Sequence, residues 1–324
     1  MKLDLEAQIL EASQVIQNGG LVAFPTETVY GLGANAFNTE AIAKIFKIKK
    51  RPADNPLIVH ISSINMLPQL VSSISETNKK LIENFWPGPL AIVFPKSKLI
   101  PDIVTAGLNT VVIRFPSNPI AQQFINKCDL PIAAPSVNPS GKPSSTKPEH
   151  IQDYFENNIF VIKGEKSEIG LESTVINTLN KTPVILRQGA ITQDQIEKVL
   201  ETKVSLAQKE TKVQSPGMKY RHYAPEAKLE LVSLGDNFIS RIENHLKKGH
   251  KVGALVSSEI YQNLPQGVLS FNLGSKENYE LISTNLYDGL HYFDSQKIDI
   301  ILAESFQPQG LGLAIMDRLK RAAE

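Results

Sequence analysis

Residues 21–36 read LVAFPTETVYGLGANA, and this stretch decides how the first part of the chain folds. The apolar run at 21–24 is typical of a buried strand, and Pro25 ends it. The segment after it, residues 25–36, carries the hydroxyl side chains of Thr26 and Thr28 together with a tyrosine and two glycines. Glycine lets a ligand approach the backbone, and a hydroxyl group both donates and accepts hydrogen bonds. The stretch indicates either a ligand-binding edge or a tight turn whose hydroxyls bond their own backbone.

Apolar runs and helical patterns alternate on both sides of this stretch. Helices are predicted at 6–18 and 75–85, and Asn38 is a suitable N-cap for another that must end before Pro52. Because several strands are joined by short connections, an α/β domain with a twisted mixed sheet is expected instead of a purely parallel one. The remaining predicted strands are 57–61, 90–94, 110–115, 158–162, 173–177 and 183–187.

The second half of the chain predicts a separate, smaller domain. Residues 201–213 are polar, and the breakers of Ser215-Pro216-Gly217 follow, as in a linker. Buried strands at 229–232, 252–256 and 298–302 alternate with helical patterns at 237–247 and 277–290, which is typical of a small Rossmann-like α/β layer. The expected organisation is a catalytic domain at 1–205, a linker at 206–227 that closes over a site, and a Rossmann-like domain at 228–324. GLGAN and GLGLA do not match the glycine spacing of dinucleotide or P-loop sites.

Composition restricts the classes of function. The 324 residues are 42% hydrophobic and 21% charged, as in an ordinary globular protein. A net charge of +1 disfavours a protein that neutralises a nucleic-acid backbone, and the six scattered histidines predict no transition-metal site. The single cysteine, Cys128, cannot form an internal disulfide and is expected to be buried. Without a signal-peptide pattern or a membrane-length apolar run, a cytoplasmic location is expected.

A basic segment, KIKKRPADNP at 47–56, lies where a predicted helix must stop. If a loop fixes Lys49 and Arg51, the two cations could clamp a triphosphate, because guanidinium binds phosphate in bidentate fashion and ammonium adds a point charge. A solvated cationic helix end, favoured by the helix dipole, is the structural alternative.

Arg114 ends the apolar strand TVVIRFP, where an unpaired charge would be costly. A carboxylate or phosphate ligand could pair with it, and Glu172 is the competing structural partner. Two further loops, APSVNPSGK and GLESTV, offer neutral donors, and ILRQGAI adds a cation at the end of another strand. Their candidate residues are Ser136, Asn138, Ser173, Thr174 and Arg187.

The segment SPGMKYRHYAP at 215–225 is rich in aromatic and basic residues for a linker. Tyr220, Arg221 and His222 could close over a nucleotide and exclude water. A docked linker without a catalytic role is the alternative.

Taken together, the motifs resemble one family, the two-domain branch of the YrdC-type threonylcarbamoyl-AMP synthases. The resemblance covers the first domain, the linker and, more loosely, the final MDRLKRAA. It rests on PTETVYGLGANA, KKRPADNPL, FWPGPLAIVF, RFP, APSVNPSG, GLESTV, LRQGAI and SPGMKYRHYAP, in the family's order and spacing.

The resemblance implies a YrdC-like twisted mixed sheet and a nucleotidyltransferase that makes threonylcarbamoyl-AMP and pyrophosphate from L-threonine, bicarbonate and ATP, with Mg²⁺ accompanying the nucleotide. The intermediate would pass to a tRNA-modifying transferase complex for threonylcarbamoyladenosine synthesis. A protein that releases a small activated intermediate needs no strong grip on tRNA, so at most weak RNA binding is expected.

The resemblance also assigns residues to the two substrates. Lys49 and Arg51 would be catalytic, and no residue is assigned to a metal. L-threonine would lie among Thr28, His60, Arg114 and Ser173. ATP would contact Lys49, Arg51, Asn55, Thr110, Ser136, Asn138, Thr146, Arg187, Tyr220 and His222. The chain departs from the family pattern at Val137, where alanine is common, and at Gln188, where proline is common, and neither change removes a polar contact.

Other classes of function remain as alternatives. A double-stranded RNA-binding module would use a basic surface, and its binding would fall steeply with salt. A carbamoyl-transfer domain of a maturation factor would bring acylphosphatase and cysteine-rich segments that the sequence lacks. A regulatory protein could sense nucleotide without performing chemistry.

Overall fold

The computed structural model describes residues 2–155, 159–207 and 223–324. Their contacts separate into two compact units. The first unit lies within Met1–Ser140, Ser145–Ser167 and Glu172–Lys219, and the second within Gly141–Ser144, Glu168–Leu171 and Tyr220–Glu324. Most of the predicted linker, residues 208–222, lies outside the described residues.

The first unit alternates helices with short strands. Its helices are α1 (Lys2–Gln17), α2 (Thr39–Lys49), α3 (Leu67–Leu70), α4 (Glu76–Phe85), α5 (Asp102–Thr105), α6 (Pro119–Cys128), α7 (Pro148–Phe155) and α8 (Gln193–Leu200). Its strands are β1 (Val22–Phe24), β2 (Gly31–Asn35), β3 (Ile58–His60), β4 (Leu90–Pro95), β5 (Thr110–Arg114), β6 (Ile132–Ala134), β7 (Phe160–Val161), β8 (Thr174–Asn177), β9 (Val184–Arg187) and β10 (Ser205–Leu206). A 3₁₀ turn, Ile64–Met66, precedes α3.

The ten strands form one mixed sheet in the order β10-β9-β8-β4-β5-β3-β6-β2-β1-β7. Pairs β1/β7, β9/β10, β3/β5 and β4/β8 are parallel, and the other five neighbouring pairs are antiparallel. The mixed sheet predicted from the short connections is therefore confirmed. Since β3 and β5 are parallel neighbours, their carboxyl ends meet at one edge of the sheet.

The core of the first unit packs on both faces of this sheet. On one face, α1 and α6 cover Phe24 and Ile132 with side chains such as Ile16 and Phe124. A larger apolar cluster includes Ile42 and Ile45 of α2 with other helix and strand residues. Successive residues of a strand point to opposite faces of the sheet. A polar residue two positions from a core residue therefore lies on the same face as that core residue.

Helix starts follow the local sequence signals. Asn38 caps α2 as predicted, its side chain accepting a hydrogen bond from the peptide N–H of Ala41 at 3.0 Å. The helix ends at Lys49, before Pro52, and Lys50 adopts a left-handed conformation with φ of 50°. Helix α1 begins at Lys2, earlier than the predicted residue 6, because Lys2 to Leu5 continue the helix without a breaker.

Strand β2 was not expected, because its glycines suggested a loop. Gly31 and Gly33 lie against the ring of Phe24, and a Cβ on Gly33 would come within 2.6 Å of Cγ2 of Ile132. Only glycine lets this strand pack so closely beside β1 and β6. The glycines of residues 31–35 therefore serve strand packing.

The second unit is a small parallel α/β layer. Its elements are β11 (Lys228–Val232), α9 (Phe238–Lys247), β12 (Val252–Val256), α10 (Ser258–Tyr261), β13 (Leu269–Asn272), α11 (Tyr279–Asp294), β14 (Ile300–Glu304) and α12 (Leu311–Ala323). The strands are all parallel, in the order β11-β14-β12-β13, which confirms the Rossmann-like prediction. Apolar side chains such as Ile242, Ala254 and Leu302 form its core.

Two short segments that precede residue 172 in the sequence, residues 141–144 and 168–171, belong to this second unit. Ser283 Oγ donates a hydrogen bond to the carbonyl oxygen of Ile169 at 2.8 Å, and Thr284 Oγ1 donates to that of Glu168. Ring nitrogen Nε2 of His291 lies 3.1 Å from the carbonyl oxygen of Ser144. The unit is thus discontinuous in sequence.

None of the described helices combines the length and the apolar character required to cross a bilayer.

Candidate functional site

Polar side chains gather on one face of the large sheet, at the edge where β3 and β5 end. An apolar cluster on that face contains one residue from each of three strands: Ile58, Val112 and Val175. Side chains alternate between the two faces along a strand, so the residues two positions away from these three lie on the same face. These polar residues are His60, Arg114 and Ser173, all buried. Three of the four residues that the resemblance assigns to L-threonine therefore share one face of the sheet.

Arg114 is the central cation of this group. Its side chain is 4% exposed, and Nη1 donates a hydrogen bond to Thr28 Oγ1 at 2.8 Å. Its Nη2 lies 2.8 Å from Oε1 of Glu27, an equally buried carboxylate. The competing structural partner proposed from the sequence, Glu172, is therefore wrong for this ion pair. Glu27 is nearer because the 25–30 turn folds onto the end of β5.

Several polar atoms around Arg114 have no hydrogen-bond partner among the described residues. They are Nε and Nη2 of Arg114, both carboxylate oxygens of Glu27 and Nδ1 of His60. The contact between Glu27 and Arg114 is close, but its angles do not make it a hydrogen bond. Buried polar groups are normally paired, so a cluster of unpaired donors and acceptors suggests a place for a polar ligand.

His60 is held neutral in this environment. Burial, together with the positive charges of Arg114 and Arg187, lowers the pKa of His60 to about 3. Its ring packs edge-on against Phe24, with 5.9 Å between centroids. A neutral imidazole can accept or donate a hydrogen bond without adding charge.

Arg187, at the end of β9, joins the same group by holding Ser173. Its Nε donates to the Ser173 carbonyl oxygen at 3.0 Å, and its Nη2 donates to Ser173 Oγ at 3.1 Å. The resemblance assigns Arg187 to ATP, whereas these bonds place it beside Ser173, which the resemblance assigns to L-threonine. We call the set Thr28, His60, Arg114, Ser173 and Arg187 the arginine cluster.

The 25–30 turn supports both sequence interpretations in part. Thr26 Oγ1 donates to the Val29 carbonyl oxygen at 2.6 Å and accepts from the peptide N–H groups of Thr28 and Val29. The structural alternative, a hydroxyl satisfied by its own turn, is therefore right for Thr26. Thr28 differs, because its hydroxyl lies 2.8 Å from Thr26 Oγ1 in the same turn and also accepts a hydrogen bond from Arg114 Nη1.

A second group surrounds Lys49 at the end of α2. Lys49 is only 2% exposed, and Nζ donates to the carbonyl oxygens of Ser136, at 2.6 Å, and of Asn138. A solvated helix end is therefore wrong for this residue. Burial and the nearby charge of Arg51 lower the pKa of Lys49 well below its ordinary value.

Arg51 is fixed by the loop that follows it. Its Nε donates to the Asn55 carbonyl oxygen at 3.1 Å, and its Nη2 donates to that of Pro56 at 2.8 Å. Ser136 Oγ donates to Asn138 Oδ1 at 2.6 Å. We call the set Lys49, Arg51, Asn55, Ser136 and Asn138 the lysine cluster.

The two clusters lie toward opposite ends of the same strands. Asn55 precedes β3, and Ser136 follows β6, which runs antiparallel to β3, so both lie near the start of β3. Thr110, which the resemblance also assigns to ATP, begins β5, whereas His60 and Arg114 end these strands. Four residues of extended strand span about 13 Å. A ligand reaching from one cluster to the other would have to be longer than a single amino acid.

The remaining assigned residues are Thr146 and two residues that the structure does not describe. Thr146 is fully buried, and its peptide N–H donates to Nδ1 of His150 at 3.3 Å. Tyr220 and His222, with Arg221, lie outside the described residues. Val137, one of the two departures from the family pattern, is buried, and its peptide N–H donates to the Tyr30 carbonyl oxygen at 2.9 Å.

Glu27 is the site residue that sequence reasoning missed. A signal was present, because an acid between Thr26 and Thr28 directly after a buried strand is unusual unless a cation pairs with it. Arg114 had already been recognised as a cation that needed a partner. Joining the two required the tertiary structure, since they are far apart in sequence.

Two family models match the chain. A model of the Sua5, YciO and YrdC proteins, described as "Telomere recombination", matches residues 14–189. A second model, described as "Threonylcarbamoyl-AMP synthase, C-terminal domain", matches residues 191–324. The chain belongs to the Sua5/YciO/YrdC family.

Relatives within the Sua5/YciO/YrdC family match over both units. The chain is 44% identical to the threonylcarbamoyl-AMP synthase of Bacillus subtilis, covering 98% of this chain and 93% of that protein. It is 36% identical to the enzyme of the same name from Schizosaccharomyces pombe, over 96% and 87% of the two chains. The crystal structure of Pyrococcus abyssi Sua5 complexed with L-threonine is similar with a TM-score of 0.91 and 42% identity, covering 97% of this chain and 94% of that one.

Proposed function

We propose that the chain is an L-threonylcarbamoyladenylate synthase, an enzyme of the nucleotidyltransferase type. It combines L-threonine, bicarbonate and ATP into threonylcarbamoyl-AMP and pyrophosphate. The observation that carries the proposal is the set of unpaired buried polar atoms around Arg114, since an amino acid would supply both a carboxylate and an amine to them. Relatives named for this reaction, and one crystallised with L-threonine, support the choice of substrate.

ATP is assigned to the lysine cluster. Lys49 supplies a buried amine whose charged form a bound triphosphate would favour, and Arg51 is held in a fixed orientation by two carbonyl oxygens of the following loop. Preorganised cations in a water-poor site stabilise developing phosphate charge without having to reorient. The extent of the two clusters along β3 and β5 suits a nucleotide placed beside an amino acid.

The reaction uses alignment and electrostatics and no protein nucleophile. The threonine nitrogen forms a C–N bond with the bicarbonate carbon, releasing water and giving N-carboxythreonine. An oxygen of that carboxylate then attacks the α-phosphorus of ATP, and the bond to the β-phosphate oxygen breaks as pyrophosphate leaves. Holding the reactants in line replaces costly encounters with an effectively intramolecular step.

Mg²⁺ belongs to the proposal as the ion that accompanies ATP and neutralises phosphate charge. Among the described residues, no three His, Cys, Asp or Glu side chains converge as metal ligands. Ser136 Oγ and Asn138 Oδ1 are hard oxygen donors of the kind that Mg²⁺ accepts, and phosphate oxygens and water would supply the rest.

The product would be handed to a tRNA-modifying transferase complex. With a net charge of +1, the chain has little electrostatic support for the alternative of double-stranded RNA binding. Weak RNA binding that disappears at moderate salt is compatible with the proposal.

A direct assay tests the proposed reaction. Purified protein is incubated with ATP, Mg²⁺ and ¹³C-bicarbonate, and pyrophosphate release is measured with and without L-threonine. We expect release to require threonine, and mass spectrometry to find the ¹³C label in threonylcarbamoyl-AMP. Release at the same rate without threonine would count against the assigned substrate.

A further inference from the structure

Beside Arg114, Glu27 carries a buried carboxylate whose oxygens lack hydrogen-bond donors among the described residues. Its residue is 3% exposed, and it lies in the turn that carries Thr28 onto Arg114. Neither Oε1 nor Oε2 accepts a hydrogen bond from any described residue. Its contact is the ion pair with Arg114 Nη2, at 2.8 Å from Oε1.

A purely structural ion pair would be built differently. Taking two charges out of water is costly, and the cost is recovered only when the remaining lone pairs and protons are also hydrogen-bonded. Here Arg114 Nε and Nη2 and both Glu27 oxygens lack hydrogen bonds. Both the guanidinium and the carboxylate of this ion pair therefore have atoms without a hydrogen-bond partner in the part of the chain that the structure describes.

The unsatisfied atoms are complementary to a zwitterion. Arg114 offers N–H donors suited to a carboxylate, and Glu27 offers acceptor oxygens suited to an ammonium group. Because Arg114 and Glu27 are adjacent, one α-amino acid could reach both, since its two charged groups are separated by a single carbon.

We infer that Glu27 binds the α-amino group of the amino-acid substrate while Arg114 binds its α-carboxylate. The inference rests on the proposed function and assigns to its substrate a binding residue that the family resemblance did not supply. Glu27 thereby selects α-amino acids over hydroxy acids and holds the nitrogen, which must release one proton to solvent before its lone pair can attack the bicarbonate carbon.

The charge states of the neighbours fit this assignment. Burial is the largest single influence on Glu27 and alone would raise its pKa, but the charge and the close side-chain contact of Arg114, together with nearby peptide groups, hold the pKa below its ordinary value. The peptide groups of Glu27 and Ser117 also favour the ionised form, although neither makes a hydrogen bond of ordinary geometry to the carboxylate. His60 is neutral at physiological pH and does not compete as a cation.

The test compares two ligands on the wild type and on Glu27→Gln. The ligands are L-threonine and 2,3-dihydroxybutanoate, which keeps the carboxylate and the β-hydroxyl but carries a hydroxyl in place of the amine. Dissociation constants are measured by calorimetry on the full chain. A ratio of two constants measured on one sample does not depend on the fraction of protein that is folded.

We expect Glu27→Gln to weaken L-threonine binding about 10- to 100-fold, as for a lost charge-assisted bond, and to leave the dihydroxy acid within about 3-fold. Glu27→Asp, which keeps the charge on a shorter side chain, should recover part of the discrimination. If Glu27→Gln weakens both ligands equally, Glu27 only positions Arg114 and the inference is wrong.

Two controls separate this inference from the proposed function. Glu304→Gln removes a buried carboxylate of the second unit that is paired with Lys276 at 2.6 Å, and it should leave the ratio unchanged. Threonine-independent pyrophosphate release by the wild type would overturn the proposed function, and the assignment of Glu27 with it. Threonine-dependent release combined with equal weakening of both ligands would overturn the role of Glu27 alone.

Discussion

Arg187 holds Ser173 with two hydrogen bonds, one from Nε to the carbonyl oxygen at 3.0 Å and one from Nη2 to Oγ at 3.1 Å. A planar guanidinium fixes both acceptors in one orientation, which a lysine ammonium cannot reproduce. The position of Ser173 at the start of β8 therefore depends on a side chain from the neighbouring strand β9.

Replacing Arg187 should impair use of threonine more than folding. We expect Arg187→Lys to lower threonine-dependent pyrophosphate release about 10- to 100-fold, with a loss of about 1–2 kcal/mol in the free energy of unfolding. Steady-state kinetics and urea unfolding measure the two effects. An unchanged kcat/KM for threonine in Arg187→Lys would contradict a positioning role.

Gly189 lets the Arg187 turn approach the backbone around Ser173. A Cβ at this position would lie 2.5 Å from both the Glu172 carbonyl oxygen and the Thr174 nitrogen. Gly189→Ala should therefore cost about 1–3 kcal/mol of stability, as overpacking does, and should raise the KM for threonine more than that for ATP. Gly107→Asn, at a left-handed position with open space around it, is the control and should cost less than about 1 kcal/mol. Equal effects of the two substitutions would refute the packing argument.

Lys49 should be needed for turnover although it is buried. Lys49→Met keeps most of the side-chain volume but removes the ammonium that contacts the carbonyl oxygens of Ser136 and Asn138. We expect pyrophosphate release to fall about 100- to 1000-fold, as when a preorganised group that stabilises the transition state is lost. Lys50→Met, at the exposed neighbouring lysine, should keep wild-type turnover. Similar losses in both variants would point to a general effect of helix-end charge.

The buried His60 predicts a specific acid sensitivity. With a folded pKa of about 3 against an ordinary 6.5, the unfolded state binds more protons between these values. Its contribution to stability is complete above pH 6.5 and is lost as the pH falls toward 3. Between pH 7 and pH 5 the loss should be about 2 kcal/mol.

Urea unfolding at both pH values tests this expectation. His60→Gln should lose that part of the pH dependence, whereas His250→Gln, at an exposed histidine, should retain it. Parallel pH curves for the wild type and His60→Gln would show that His60 is not the group that titrates.

Cys128 should be inert in the folded protein. It is 1% exposed, and burial raises the pKa of its thiol to about 12. The thiolate is the reactive form, so we expect no measurable alkylation by iodoacetamide at pH 8 until urea unfolds the chain. Cys128→Ala should retain full activity. Rapid alkylation of the native protein would disprove the burial argument.

Local patterns were sufficient to predict much of the fold. The Asn38 cap, the strands around Leu90 and Val112 and the parallel layer after residue 228 follow from periodicity, capping and turn residues, and the structure confirms them. Strand β2 is not predictable from its own sequence, because its glycines are required by close contacts with the Phe24 ring and an Ile132 methyl group on other strands.

Candidate residues for the site could be named one by one from the sequence, but their pairing in the fold could not. Arg114 was recognised as a buried charge that needed a partner, yet its partner Glu27 comes from a distant turn that only the fold brings near. Lys49 resembled an exposed helix-end charge because sequence does not reveal that its ammonium reaches two carbonyl oxygens of another loop. The assignment of ATP and threonine to individual residues remains a prediction.

The discontinuity of the second unit has a consequence for anyone who shortens the gene. Residues 141–144 and 168–171 pack with residues 223–324, although they lie inside the stretch matched by the first family model. A stop codon after residue 205 would leave the carbonyl oxygens of Ile169 and Glu168 without the hydroxyl donors of Ser283 and Thr284, and that of Ser144 without the ring of His291. The boundary between the two family matches differs from the boundary between the two compact units. A chain truncated after residue 205 is therefore expected to be destabilised and not to behave as an intact domain.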